Sequence, residues 1–241
     1  MGNNPTSELN FPLSAKVSPR EIDAGLRRFM LSVYNYMASG LALTGVVAYV
    51  TAGSGLYASL VKIPVLFWAI VLAPLLLVFL LSFRIEKMSV GAAQAAFWTY
   101  AALVGLSLSG IFVVYTGASI ARTFFIAAAT FLAMSLYGYT TRADLARVGS
   151  FLLMGLIGIV IASFVNMFLL SSTLQLAISI IGVIVFVGLT AYDTQRIKEI
   201  YLASDTLVIA GKKAIICALT LYLDFINLFL MLLQLSGERR E

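Results

Sequence analysis

Residues 214–235 read AIICALTLYLDFINLFLMLLQL. The stretch holds one charged residue, Asp224, and no proline. At about 1.5 Å of rise per residue its 22 residues make a helix about 33 Å long, enough to cross the ~30 Å hydrocarbon core of a bilayer. A helix apolar on every face has no side to offer water. The stretch therefore sets lipid as the solvent in which the rest of the chain has to be understood.

Outward from it, six further runs have the same character, at Phe29–Thr51, Ile63–Phe83, Val90–Tyr115, Ile120–Thr140, Val148–Leu170 and Leu174–Asp193. The composition agrees. Of 241 residues, 61% are hydrophobic and 11% charged, where a soluble domain carries roughly 25% charged residues. The reading is an all-α membrane protein with seven transmembrane helices: a cytoplasmic N-terminal tail over 1–28, a transmembrane domain over 29–235 and a short C-terminal tail over 236–241. The third and fourth runs are joined by Thr116–Ser119 and the fifth and sixth by Ser171–Thr173, links short enough to make antiparallel neighbours. The longest internal connection is Thr194–Lys213. Its first part, TQRIKEIYLA, is expected to extend the sixth helix, and Asp205, Gly211, Lys212 and Lys213 to mark a loop leading into the last one. Small residues spaced four apart (Ala38 and Ala42, Gly40 and Thr44, Gly105 and Ser109) suit close helix packing, since lipid removes the usual hydrophobic drive.

The basic residues set the expected orientation. With seven spans, twelve of the 16 lysines and arginines fall on the side of the N-terminus and the even-numbered loops. Cytoplasmic loops carry that excess, so the N-terminus is expected in the cytoplasm and the C-terminus outside. A re-entrant last helix would return the C-terminus to the cytoplasm. Arg122, on the outer side, reads as a snorkelling flank. Basic residues placed as topology signals give no footing for nucleic-acid binding. The early carboxylates Glu8, Glu21 and Asp23 and a long polar lead-in do not suit a cleaved secretory signal. There is no histidine, and the single cysteine is Cys217. Histidine bases, histidine metal ligands and an intramolecular disulfide are thereby excluded.

An aspartate at the bilayer centre costs about 2.5–3.5 kcal/mol on insertion scales, so a charge retained there is expected to serve a function. Asp224 lies roughly 16 Å along its helix beyond Lys213, too deep for its short side chain to reach water. Thr220 and Asn227 share its face. Asp193 lies in GLTAYDTQRIKEI, where the sixth run turns polar, one turn deeper than Arg196. The segments LTAYD and LTLYLD place Thr190, Tyr192, Thr220 and Tyr222 near the two carboxylates as candidate hydrogen-bond partners. Arg84 ends the second run at about the depth of Asp193. Two carboxylates held close cannot both ionise freely and titrate as a coupled unit. With Arg84 they could hold two states, one with the arginine paired to a carboxylate and the cytoplasmic mouth closed, the other with a proton or cation between the aspartates and the arginine released. Two carboxylates are hard ligands but far short of the 6–8 oxygens of a tight Ca²⁺ site. A weak, transient site suits permeation, which needs exit as well as access.

On GLTAYDTQRIKEI at 188–200, LTLYLDFINLFLMLL at 219–233, the arginine ending the second helix and the spacing of seven runs, the chain from about Arg27 to Leu235 resembles the Bax inhibitor-1 family of transmembrane proteins, in its bacterial branch. The resemblance implies a bundle with the last helix central among the other six, in a bacterial inner membrane. It also implies a pH-sensitive calcium leak, in which Asp193 and Asp224 act as sensor and weak Ca²⁺ ligands and Arg84 as latch. No resident cofactor is implied; Ca²⁺ is the permeant ion and protons the modulator. Some bacterial members are associated with regulating a membrane-bound ATP-dependent protease, so that complex is a further partner to expect beside the lipid bilayer.

Other functions fit less well. Intramembrane aspartyl proteases also carry a Tyr-Asp on one helix, matched by Tyr192–Asp193, but their second aspartate follows Gly-x-Gly, where Leu221–Tyr222–Leu223 stands here. A retinal protein needs a lysine in its last helix, and none lies between Ala214 and Gln234. A proton-coupled transporter and a non-conducting regulator remain as alternatives to the leak, and an enzyme is not expected.

Overall fold

The structure is a computed structural model that describes residues 19–240. Seven helices among these are long and apolar enough to cross a membrane. They are α1 (Pro19–Gly53), α2 (Pro64–Arg84), α3 (Val90–Leu108), α4 (Gly117–Thr140), α5 (Ala146–Leu169), α6 (Ser172–Ile200) and α7 (Leu207–Ser236). A short helix, Leu56–Val61, joins α1 to α2, and a helical turn, Ile111–Val114, leads from α3 to α4. The hydroxyls of Ser89, Thr116, Ser171 and Thr206 each accept a hydrogen bond from the backbone N–H three residues on and so start α3, α4, α6 and α7.

The expected runs match these helices in order, but three boundaries move outward. Residues 19–28, expected as tail, form the first turns of α1, while residues 1–18 of that tail lie outside the described residues. At the other edge α6 runs on to Ile200, as TQRIKEIYLA suggested. The loop before α7 is only 201–206, so Gly211, Lys212 and Lys213 are helical rather than a lead-in. Hydropathy marks where lipid ends; helical hydrogen bonding continues past it wherever no breaker intervenes. Thr206 supplies the cap, and Lys213 closes the loop by reaching back to Asp205 at 2.6 Å and to the Ile200 carbonyl at 3.1 Å.

α7 is the most buried helix: 61% of its most apolar window lies inside the protein, against 11% for α2. It packs mainly against α6, α1, α4 and α3. α2 joins the bundle chiefly through α3, and α5 through α6. The expectation that all six helices ring the last one is thus narrowed to four in close contact. α7 also traverses the whole bundle. Beyond its end the Glu238 carbonyl accepts from Thr116 N–H at 3.0 Å, and Arg240 N–H donates to the Val114 carbonyl at 2.9 Å. Arg122 pairs with Glu238 at 3.0 Å. Arg122 therefore ties down the tail instead of merely snorkelling, and the C-terminus lies at the end of the bundle that carries the α3–α4 link. The re-entrant alternative would have placed it at the opposite end.

Small residues set the spacing. A Cβ at Gly105 would lie 2.7 Å from the Thr44 carbonyl oxygen, and one at Gly40 would lie 2.8 Å from the Phe97 ring, so Gly40, Thr44 and Gly105 do let α1 and α3 close up. Gly138 of α4 lies against the Ala191 backbone of α6, well inside the contact distance of any added Cβ. Ala38 and Ala42 behave differently: they line a gap between α1 and α4. Since backbone cannot yield as a side chain tip can, Gly138→Ala is expected to destabilise the protein by about 1–3 kcal/mol, read as a lower thermal midpoint in detergent. Gly158→Ala, which meets nothing within 4 Å, is expected to leave it unchanged.

Candidate functional site

The two aspartates stand on the α6–α7 seam, the most extensive helix contact in the bundle. Asp193 lies two residues beyond a buried stretch, Leu189, Thr190 and Ala191, and Asp224 lies in a run whose Leu221 and Leu228 are fully buried. Asp224 is 5% exposed and Asp193 8%, so both carboxyls are buried among protein atoms. The carboxyls face each other across the seam. Asp224 Oδ2 is buried and has no hydrogen-bond partner in the protein. A buried carboxyl oxygen without a donor is costly, and the cost is greater if the group is charged.

The polar residues expected to support the pair turn elsewhere. Thr190 Oγ1 donates to the Phe186 carbonyl at 2.8 Å, Thr220 Oγ1 to Ile216 at 3.2 Å, and Asn227 Nδ2 to Leu223 at 2.8 Å. Each satisfies its own helix one turn back, the default for a short polar side chain with no water in reach. Tyr222 points to α1, where its hydroxyl meets Thr44 Oγ1 at 2.6 Å. Tyr192 lies over Gly149 of α5.

Arg84 ends α2 and is exposed. Among the described residues it pairs with no carboxylate; the ion pairs there are Arg122–Glu238 and Lys213–Asp205. A basic side chain in the last turn is favoured by the helix dipole alone. The cation whose field reaches Asp193 is Arg196, one turn along the same helix. A residue on the aspartate's own helix, three positions away, was a simpler partner than one on α2, which packs mainly on α3.

A cavity of about 420 Å³ opens between the ends of α2 and α6 and the start of α7, and neither aspartate lines it. Ile85, Glu86, Lys212 and Lys213 line its rim and Cys217 its inner wall, and Cys217 lies within the field of Asp193. Both lysines are engaged: Lys213 as above, and Lys212 with the Glu86 carbonyl at 2.8 Å. At the far end of the same seam Gln175 Nε2 donates to Gln234 Oε1 at 2.6 Å, and Ser179 Oγ donates to that oxygen at 3.1 Å. Asn166 of α5 joins them through Gln175 Oε1 at 3.0 Å. Between the two polar ends the seam is apolar. Leu228 is fully buried, and Met231 fills the notch at Gly182. Asp224 and Gln234 are ten residues apart, about 15 Å along the helix, and over that distance the seam is shut.

A second polar chain was not visible in the sequence. The Tyr34 hydroxyl of α1 bonds Ser135 Oγ of α4, which meets Thr194 Oγ1 of α6 at 2.9 Å. Thr194 adjoins Asp193, and Ser135 is one of several hydroxyls along its run, with nothing to set it apart from the rest. The protease-like half-motif gains no support here. Leu221 and Leu223, standing where glycines would open the backbone to a substrate, are fully buried and half-buried, and Tyr222 between them stacks edge-on against Tyr100 and Phe97.

The family model described as "Inhibitor of apoptosis-promoting Bax1" matches residues 26–241. The chain is similar to the inner membrane protein YbhL of Escherichia coli K12, 51% identical over 95% of this chain and 99% of that one. It is also similar to a protein of Rickettsia prowazekii, 50% identical over 92% of this chain and 94% of its relative. A Borreliella burgdorferi protein is 46% identical over 89% and 93%. With one family model covering nearly the whole length and relatives at half identity from end to end, the chain belongs to the Bax inhibitor-1 family.

Proposed function

We propose that this protein is a pH-sensitive cation leak of the bacterial inner membrane, with Ca²⁺ as the permeant ion and Asp193 and Asp224 as its sensor. One observation carries the reading: two buried carboxyls face each other on the central seam, and one of their oxygens has no partner in the protein. A proton or a cation is what such a pair lacks. Among the described residues no group of three or more acidic, cysteine or histidine side chains gathers to hold a metal ion. Any cation at the pair is therefore held weakly, as passage requires. The inner membrane placement draws on the printed name of the YbhL relative, and a cytoplasmic N-terminus on the distribution of basic residues.

The shut stretch at Leu228 and Met231 fits a closed leak. It equally favours a second reading, a non-conducting regulator, for instance of a membrane-bound protease. Calcium-loaded vesicles holding the purified protein separate the two. The leak predicts Ca²⁺ efflux that varies between about pH 5 and 8 and loses its pH dependence in Asp224→Asn. No efflux above empty vesicles at any pH in that range would leave the regulator. Efflux that appears only with a proton gradient would make the protein a proton-coupled transporter.

The latch is assigned to Arg84, which in the arrangement described would have to swing inward from an exposed position as α2 shifts over α3. Arg84→Ala is expected to change the leak rate at fixed pH. An unchanged rate, with a changed one in Arg196→Ala, would transfer the role to Arg196.

A carboxyl kept for function at a cost in stability makes a separate prediction. Asp224→Asn keeps the shape of the side chain and removes the ionisable group, so its thermal midpoint in detergent is expected to rise, by about 2–4 °C per kcal/mol gained. A fall in the midpoint would show that the carboxyl holds the seam together.

A further inference from the structure

α1 and α4 both pack on α7, yet they make little contact with each other. Three cavities of about 350, 340 and 300 Å³ follow one another up the gap between them. The first has Arg27 at its mouth and the last reaches Gly117 at the other end of the bundle. Phe225 of α7 forms the floor of the upper two. Ala38 and Ala42 on one wall and Ala128 on the other keep the gap open, which gives these small residues a purpose other than helix contact. The gap is open sideways to lipid at its lower rim, where Leu31, Leu132 and Leu136 are 52%, 64% and 63% exposed.

The lining is apolar except for Thr44 in the upper cavity and a polar cluster at the lower end. There Arg27 is exposed, Tyr34 and Ser135 contribute hydroxyls, and no acidic residue lines the cavity. Among the described residues no carboxylate pairs with Arg27. A cation at the membrane surface over a long apolar slot is complementary to an anionic head group carrying an acyl chain. The dimensions agree. Arg27 to Ala42 is 15 residues, about 22 Å along the helix, which is half the ~40–45 Å thickness of a bilayer with its head groups. A second copy of the chain would have to insert a helix ~10–12 Å across, far more than cavities of these volumes admit over that height.

We infer that the α1–α4 gap is a binding site for an anionic phospholipid, with the phosphate at Arg27 and one acyl chain laid along Ala38, Ala42 and Ala128. The site stands whether or not the protein conducts. Native mass spectrometry of the full chain, delipidated and given equal amounts of phosphatidylglycerol and phosphatidylethanolamine, tests it. Phosphatidylglycerol adducts are expected to dominate. Arg27→Ala is expected to reduce that preference roughly fivefold, the worth of one basic side chain near an anionic surface. Arg28→Ala is expected to keep it, because Arg28 lies at a different cavity, beside Trp98. Ala128→Trp, which fills the slot, is expected to remove adducts of both lipids, and Ala38→Leu serves as the milder obstruction if the tryptophan prevents folding. Equal uptake of the two lipids, equal losses in Arg27→Ala and Arg28→Ala, or adducts that survive the obstruction would each overturn the site.

Discussion

A carboxyl group midway along a helix in lipid has no water to turn to, and its burial governs how the surrounding helices must be built. In this chain the burden falls on α7. An aspartate on a lipid-facing helix would sit in hydrocarbon; on the most buried helix of the bundle it sits among protein atoms that can be arranged around it. Placing α7 against α6, α1, α4 and α3 is what makes Asp224 tolerable, and the glycines at the close approaches are what allow four helices to reach one. Gly138 brings α4 onto α6 within two residues of Asp193. A methyl group there would push α4 away from α6, the helix that carries Asp193.

The other polar groups of the interior follow a different rule. Thr190, Thr220 and Asn227 all bond to a carbonyl of their own helix one turn back. Such bonds cost little and commit the side chain to nothing outside the helix. Other side chains bond between helices: Tyr222 with Thr44, the Tyr34–Ser135–Thr194 chain, Gln94 with Tyr36, Ser107 with the Ile70 carbonyl, and the glutamine cluster at the far end. Against this background Asp224 stands out, because its orphan oxygen is met neither by its own helix nor by a neighbour. Thr123 Oγ1 is the other buried side-chain atom without a partner among the described residues, but a hydroxyl carries no charge and is much less costly to leave so.

Much of this was legible in the sequence because lipid imposes a simple code. Twenty apolar residues must be a helix there, since no other structure satisfies its own backbone. The seven runs, their order and the antiparallel links followed directly. What the code does not carry is anything set at the ends of helices or between them. The helical turns at 19–28 and 207–213 lie beyond the apolar stretch, where hydropathy has no voice. The tail after α7 looked too short to read, yet it docks on the α3–α4 link through backbone bonds and one ion pair, and backbone bonds are indifferent to side-chain identity. At the site, both aspartates could be named because a charge in an apolar run is conspicuous. The partners suggested by spacing failed for a general reason: hydroxyls and amides on the same helix face as a carboxylate have a nearer acceptor in the backbone. Arg84 at matching depth was an argument about height in the membrane alone, and height does not fix which way around the bundle a side chain points.

The structure also changes what a conducting state would require. Both ends of the α6–α7 seam are polar, one through the carboxyl pair, the other through Gln175, Ser179 and Gln234. The stretch between them is closed by Leu228 and by Met231 seated against Gly182. A rotation of the aspartate side chains would leave that stretch as it is. A path through the seam needs α6 and α7 to separate over roughly three helical turns, and repulsion between two ionised carboxylates is a force applied at one end of that very contact. The glutamine cluster holds the other end. Its bonds are between neutral groups, individually modest, so on the proposed reading the carboxyl end is where an opening would start and the neutral end is what it would turn on.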